Sequence, residues 1–289
     1  MNIAKLRQWT ARTVYGWNGA FPRCARPGCE ARNHWFWPGH GIRLQQRWYC
    51  SPQCFESAAR QCFARVLSTV SLEPHVQHRI PLGLVLLSRG YISNAQLRRA
   101  LQAQRERGGR RIGEWLEEMG FATESQVTAA MGLQWACPVL PDAAVAAADL
   151  AAILPLRLLE DFRMLPVYFS RERLLYMAFS EGVDYTVLYA IEQALDCRTE
   201  ACLAGRTAVK AVFEQLRHQR RPTDFLFEGR RDSTEMARIT CGCAIKLGAS
   251  HVRILVCGEF VWVRLTGELD PANILFQRDI LNAPFLSGK

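Results

Sequence analysis

Two stretches of this chain read alike: Gly83-Leu-Val-Leu86-Leu-Ser-Arg-Gly90-Tyr-Ile92-Ser-Asn-Ala-Gln-Leu97-Arg-Arg-Ala100-Leu101-Gln-Ala-Gln104, and Arg111-Ile-Gly113-Glu-Trp-Leu116-Glu-Glu-Met-Gly120-Phe-Ala122-Thr-Glu-Ser-Gln-Val127-Thr-Ala-Ala130-Met131-Gly-Leu-Gln134. The copies stand thirty residues apart, Gly83 answering to Gly113 and Gly90 to Gly120. A repeat at fixed period marks a duplicated structural unit. Each copy runs G-x2-L-x3-G and then offers a capping box, Ser93 with Gln96 and Thr123 with Gln126. Apolar residues follow at i, i+3 and i+4, so each copy is predicted as a short helical turn, a glycine corner and a longer helix.

The tandem pattern resembles the MshEN domain, a cyclic di-GMP-binding module at the amino end of type II secretion and type IV pilus assembly ATPases (the GspE/PulE-like family). That motif reads R-L-G-x2-L-x3-G followed by L-x2-A-L-x2-Q. The resemblance implies a ligand surface made by Gly83, Leu86, Gly90, Leu97 and Gln104 in the first copy. In the second it implies Arg111, Gly113, Leu116, Gly120 and Gln134. Such residues suit a flat, doubly phosphorylated ligand: glycine admits close backbone approach, arginine stacks on a purine and pairs with phosphate, and leucine covers an apolar base face. The first copy departs from the family, since Pro81 stands at the arginine position and Arg79 lies two residues early. A missing guanidinium removes a charge-assisted contact of about 1.5 to 3 kcal/mol. The alternative is a repeat kept only as fold.

Beyond Gln134 the chain continues to resemble the family. Leu156 to Asp161 is predicted helical, Met164 to Phe169 and Leu174 to Phe179 as strands, Tyr185 to Leu195 as a helix, Thr199 to Leu203 as a strand, and Thr207 to His218 as a helix. Arg220-Arg-Pro222-Thr223 reads as a linker, followed by a helix over Thr234 to Leu247 and a hairpin of His251 to Val256 with Phe260 to Leu265. The runs Ala249-Ser-His-Val-Arg-Ile-Leu255 and Val261-Trp-Val-Arg-Leu-Thr-Gly267 faintly resemble the opening of the ATPase region, with its acidic positions altered. None of Lys5, Lys210, Lys246 and Lys289 stands in a P-loop pattern, so ATP hydrolysis is not expected.

Four of the eleven cysteines form two close pairs, Cys24-Ala-Arg-Pro-Gly-Cys29 and Cys50-Ser-Pro-Gln-Cys54. Short-spaced pairs let each half chelate before a modest loop closes, which is the arrangement a structural zinc ion requires. Phe55, Ala58, Ala59, Cys62, Phe63, Val66 and Leu67 then recur at helical spacing, so the second pair opens an amphipathic helix, as in a treble-clef or zinc-ribbon finger. His34 or His40 could replace one thiolate, and four reduced, packed thiols are the alternative to a metal site. The loop His34-Trp35-Phe36-Trp37 reads as packing or partner contact. Cys62 is expected in the core, and Cys241-Gly-Cys243 has no second pair nearby.

The predicted class is an α+β multidomain chain. It comprises a zinc-finger-like segment with its following helix (1–70), a helical tandem-repeat subdomain (76–137), a second, small α/β subdomain (138–220) and a terminal helix with a β-hairpin (221–289). Net charge is +9, arginine-rich, which favours phosphate-bearing partners or simply a solvated basic face. No apolar run reaches the roughly 18 residues of a membrane span, and the cysteine usage fits a reducing compartment, so a cytoplasmic location is expected. No Ser/His/Asp or Cys/His constellation stands out. The expectation is a non-enzymatic regulator or adaptor that binds cyclic di-GMP. A scaffold docking to a secretion or pilus machine, or to nucleic acid, through the finger is the alternative.

Overall fold

The computed structural model describes residues 23–31, 41–68, 79–142, 148–218 and 223–278. The aromatic loop at 34–37, both candidate histidines His34 and His40, the basic start at 1–17 and most of the 220–223 linker lie outside the described residues. The chain divides into two compact units: His75–Tyr185 with Cys197–Arg220, and Met1–Pro74 with Thr186–Asp196 and Arg221–Lys289.

The repeats occupy the former. For clarity, β1 and β2 are Ile42–Leu44 and Arg47–Tyr49, and α1 is Pro52–Ser68. The first repeat folds as α2 (Leu82–Ser88) and α3 (Asn94–Arg107), the second as α4 (Ile112–Glu118) and α5 (Glu124–Trp135). Both capping boxes form as the sequence predicts. Ser93 Oγ accepts from the Gln96 amide at 3.3 Å while Gln96 Oε1 accepts from the Ser93 amide at 2.7 Å. Thr123 and Gln126 repeat this at 3.3 and 2.9 Å. Replacing Thr123 with Ala strands one of the orphan amides at the start of α5 and is expected to cost about 1 kcal/mol, measured as a shift in the urea unfolding midpoint.

The glycine corners do their predicted work, since Gly90 and Gly120 take φ of +70° and +67°, where a Cβ is strained. Gly83 and Gly113 serve another purpose. A Cβ on Gly83 would meet Leu97 Cδ1 at 2.6 Å, and one on Gly113 would meet Val127 Cγ1 at 2.9 Å, so each glycine lets a side chain of its copy's long helix come close. Leu86, Leu97, Ala100, Leu116, Val127 and Ala130 fill the resulting core.

The remainder of this unit has a 3-10 turn (Ala148–Ile153), α6 (Leu156–Asp161), β3 (Met164–Phe169), β4 (Leu174–Phe179), β5 (Arg198–Leu203) and α8 (Arg206–Arg217). The three strands form one sheet in the order β3-β4-β5, antiparallel then parallel. Helix α8 is tied to the repeats by charge: Arg206 bonds Glu114 at 2.9 Å and also Glu117, while Glu124 accepts from the Thr207 amide at 2.7 Å. A carboxylate at a helix amino terminus is favoured by the exposed N–H groups there. Helix α7 (Tyr185–Leu195) groups with the other unit, and buries Val187, Ile191 and Ala194.

In that other unit, segments from the amino-terminal part (residues 23–68) and the carboxy-terminal part (residues 223–278) fold together. Strands β6 (Asp224–Phe227), β7 (Ala249–Cys257), β8 (Phe260–Gly267) and β9 (Ala272–Gln277), with helix α9 (Ser233–Lys246), come from the carboxy-terminal part. They join β1 and β2 in a six-stranded sheet ordered β2-β1-β7-β8-β9-β6. The expected hairpin is β7-β8, paired from Ala249↔Gly267 to Cys257↔Phe260. Strands β6 and β9 extend it, and they are too short and too far apart in sequence to declare themselves locally. The amino-terminal link is parallel pairing of Arg43 and Leu44 with His251 and Val252. It is reinforced by Gln45, whose amide bonds Val252 O at 3.1 Å and whose side chain bonds Ile254 O at 2.6 Å. Gln45 and Gln46 both hold positive φ, 49° and 71°, as a two-residue hairpin loop demands. Helices α1 and α9 pack together over this sheet, and Phe63 of α1 meets Phe276 of β9 edge-on at 5.8 Å.

Candidate functional site

The cysteine quartet is assembled by short-range devices. Gly28, at φ +77°, turns the chain between Cys24 and Cys29, and the Cys29 amide bonds Arg26 O at 3.1 Å. Cys50 follows β2 directly, and Cys54 lies in the first turn of α1, its amide bonded to Ser51 Oγ at 3.3 Å. The β1–β2 hairpin brings the halves together, with the Ala25 amide bonded to Trp48 O at 2.9 Å.

All four sulfurs lie within 4.8 Å of one another. Cys29 to Cys50 is 3.6 Å, Cys50 to Cys54 is 3.8 Å and Cys54 to Cys29 is 4.0 Å. A disulfide would need about 2.05 Å. Four thiolates about 2.3 Å from a central ion stand roughly 3.8 Å apart at the corners of a tetrahedron, so these residues fit a tetrahedral metal site. Without an ion, Cys54 and Cys50 are shifted in opposite directions. Ser51, then Arg26 whose Nη1 lies 3.7 Å from the sulfur, hold the Cys54 thiol down to about 6 against the opposing effect of burial. Burial, followed by contact with Cys29, pushes Cys50 up to about 12. A dication would let all four ionise together. Arg26 is a contact that spacing alone does not disclose, although it sits inside the first C-x4-C.

The tandem-repeat residues fall into three groups. Leu86, Leu116, Leu97, Gly83 and Gly113 are buried in the helical core. Gln104 and Gln134 close the pseudo-symmetric pair: Gln104 Nε2 donates to Arg110 O at 2.9 Å, and Gln134 Nε2 donates to Ile80 O at 2.7 Å. Each terminal glutamine thus binds the carbonyl just ahead of the other copy's motif. Arg111, Gly90 and Gly120 remain exposed. The Arg111 guanidinium donates to Glu181 O at 2.6 Å and lies 3.4 Å from the Glu181 carboxylate, with two-thirds of its side chain in solvent. On the Pro81 side, Arg79 lies over the Trp135 ring, 3.0 Å from its centroid.

No protein-family model matches the chain, and no curated protein matches it. Among solved structures, the region is similar to MshE with cdg, at 30% identity over 48% of this chain and 99% of that one, with a TM-score of 0.41. It is also similar to the N-terminal domain of XpsE in two crystal forms. One is 20% identical over 47% of this chain and 92% of that one (TM-score 0.35); the other is 20% identical over 45% and 90% (TM-score 0.29). The 30% identity extends across nearly all of the MshE chain, in keeping with an MshEN/GspE N-terminal-domain-like fold for this region. The chain belongs to the MshEN family through this region, and no ATPase domain is matched.

Proposed function

We propose that the protein is a non-enzymatic regulator or adaptor of a type II secretion or type IV pilus system, working in the cytoplasm. Its tandem repeat binds cyclic di-GMP, and its thiol quartet holds a structural zinc ion. The observation that carries the ligand reading is the exposed set left by the repeat: Arg111 with most of its side chain in solvent, and two glycine corners whose backbone is open to approach. The likeness to a chain solved with this dinucleotide supports it. Phosphate would replace Glu181 as the partner of Arg111, an exchange of one charge-assisted contact for another. Zinc is favoured among metals by an all-thiolate tetrahedron. It would stiffen the finger and leave no open position for catalysis.

Calorimetric titration of the whole chain with cyclic di-GMP is the test. Micromolar or tighter binding is expected, with Arg111→Ala weakening it by about ten-fold or more. A titration without heat at high ligand concentration leaves the second reading, a docking scaffold built on a binding fold without its ligand. Two observations favour that reading: Pro81 at the first arginine position, and Leu86 and Leu116 wholly buried, where no base can reach them.

A further inference from the structure

Beside the thiol quartet, within the unit that holds the six-stranded sheet, lies a cavity of about 380 Å³. Three arginines from three separate segments line it: Arg26 from the first cysteine loop, Arg47 from β2 and Arg65 from α1. Tyr49, Gln61 and Leu44 complete the part that matters, and no carboxylate is among the described residues lining it. Tyr49 and Leu44 are buried, which makes an apolar floor under a cationic rim.

Three arginine side chains lining one concavity concentrate positive charge there, which favours an arriving anion. The planar fork of arginine matches phosphate oxygens, and the tyrosine hydroxyl and glutamine amide add neutral donors. The volume lies within the range of about 300 to 1,000 Å³ of small-molecule pockets, which suits a compact ligand entering by its phosphate. We infer that this cavity is a second ligand site, distinct from the tandem repeat, that takes a small phosphate-bearing molecule through Arg26, Arg47 and Arg65. The sources of such a group are free polyphosphate or a mononucleotide. The quartet and this cavity share the β1–β2 hairpin and α1, and Arg26 touches both.

The test is titration of the zinc-loaded whole chain with inorganic pyrophosphate and with GMP, in parallel with Arg47→Gln and Arg65→Gln. These two side chains are chosen because Arg26 also touches Cys54. Each substitution is expected to weaken binding by about ten-fold or more while zinc content stays unchanged. The Arg111→Ala chain should bind pyrophosphate normally, so failure here is separable from failure of the cyclic di-GMP reading. Tighter binding of GMP than of pyrophosphate assigns the mononucleotide; the reverse assigns free polyphosphate. Binding of neither, or binding unmoved by both substitutions, overturns the inference. So does binding of a twelve-nucleotide single strand that pyrophosphate does not displace.

Discussion

Stripping zinc from Cys24, Cys29, Cys50 and Cys54 is expected to lower the melting temperature of the zinc-loaded protein by at least about 10 °C. The whole six-stranded sheet with α1 and α9 should melt, not only the segment around the cysteines. Zinc binding in small finger peptides contributes on the order of 10 to 16 kcal/mol, comparable with the entire stability of a domain, which is about 5 to 15 kcal/mol. Here the loss would spread, because β1 is a middle strand of the six-stranded sheet and α1 packs on α9. Calorimetric melting with and without chelator measures the effect. Cys50→Ser should abolish stoichiometric zinc, whereas Cys62→Ser should retain it, since Cys62 is buried and lies outside the quartet. Equal melting in both conditions would show four thiols that merely pack.

Asn273→Leu is the second large change, expected to cost about 3 kcal/mol in urea unfolding. Asn273 is 3% exposed on β9 and is shared by three groups. Its Oδ1 accepts from the Trp262 indole at 3.0 Å and from Arg264 Nη1 at 3.2 Å, and its Nδ2 donates to Asp224 Oδ1 at 2.8 Å. Trp262 is wholly buried and Arg264 is 4% exposed, so a leucine of similar size would take away a bond each of them makes away from water. The same contact holds β6 to β9, through the pair Asp224↔Asn273. A loss below about 1 kcal/mol would mean that the remaining contacts of Arg264 and Asp224 satisfy them without Asn273.

The ion pairs elsewhere should matter less. Arg217 with Glu160 at 2.6 Å, or Arg157 with Asp161 at 3.0 Å, are half-exposed contacts between long side chains. Such pairs contribute about 0 to 1 kcal/mol and weaken with salt.

What the sequence by itself determined is everything decided within a few residues. The helices of the repeat, their caps at Ser93 and Thr123 and the corners at Gly90 and Gly120 follow from contacts three or four positions apart and from the φ that only glycine adopts freely. Strands β3 and β4 were legible for the same reason, and so was each half of the cysteine quartet, because a chelate of four or five residues closes on itself. Repetition made the family legible too. Tertiary structure alone decided that β1 lies beside β7, that Gln104 and Gln134 brace opposite copies, that Glu181 clasps Arg111, and that Arg26, Arg47 and Arg65 surround one cavity. It also turned Leu86 and Leu116, which the motif offers to a ligand, into core. These are contacts between residues distant in the chain, set by packing and hydrogen-bond satisfaction in three dimensions, and no local periodicity encodes them.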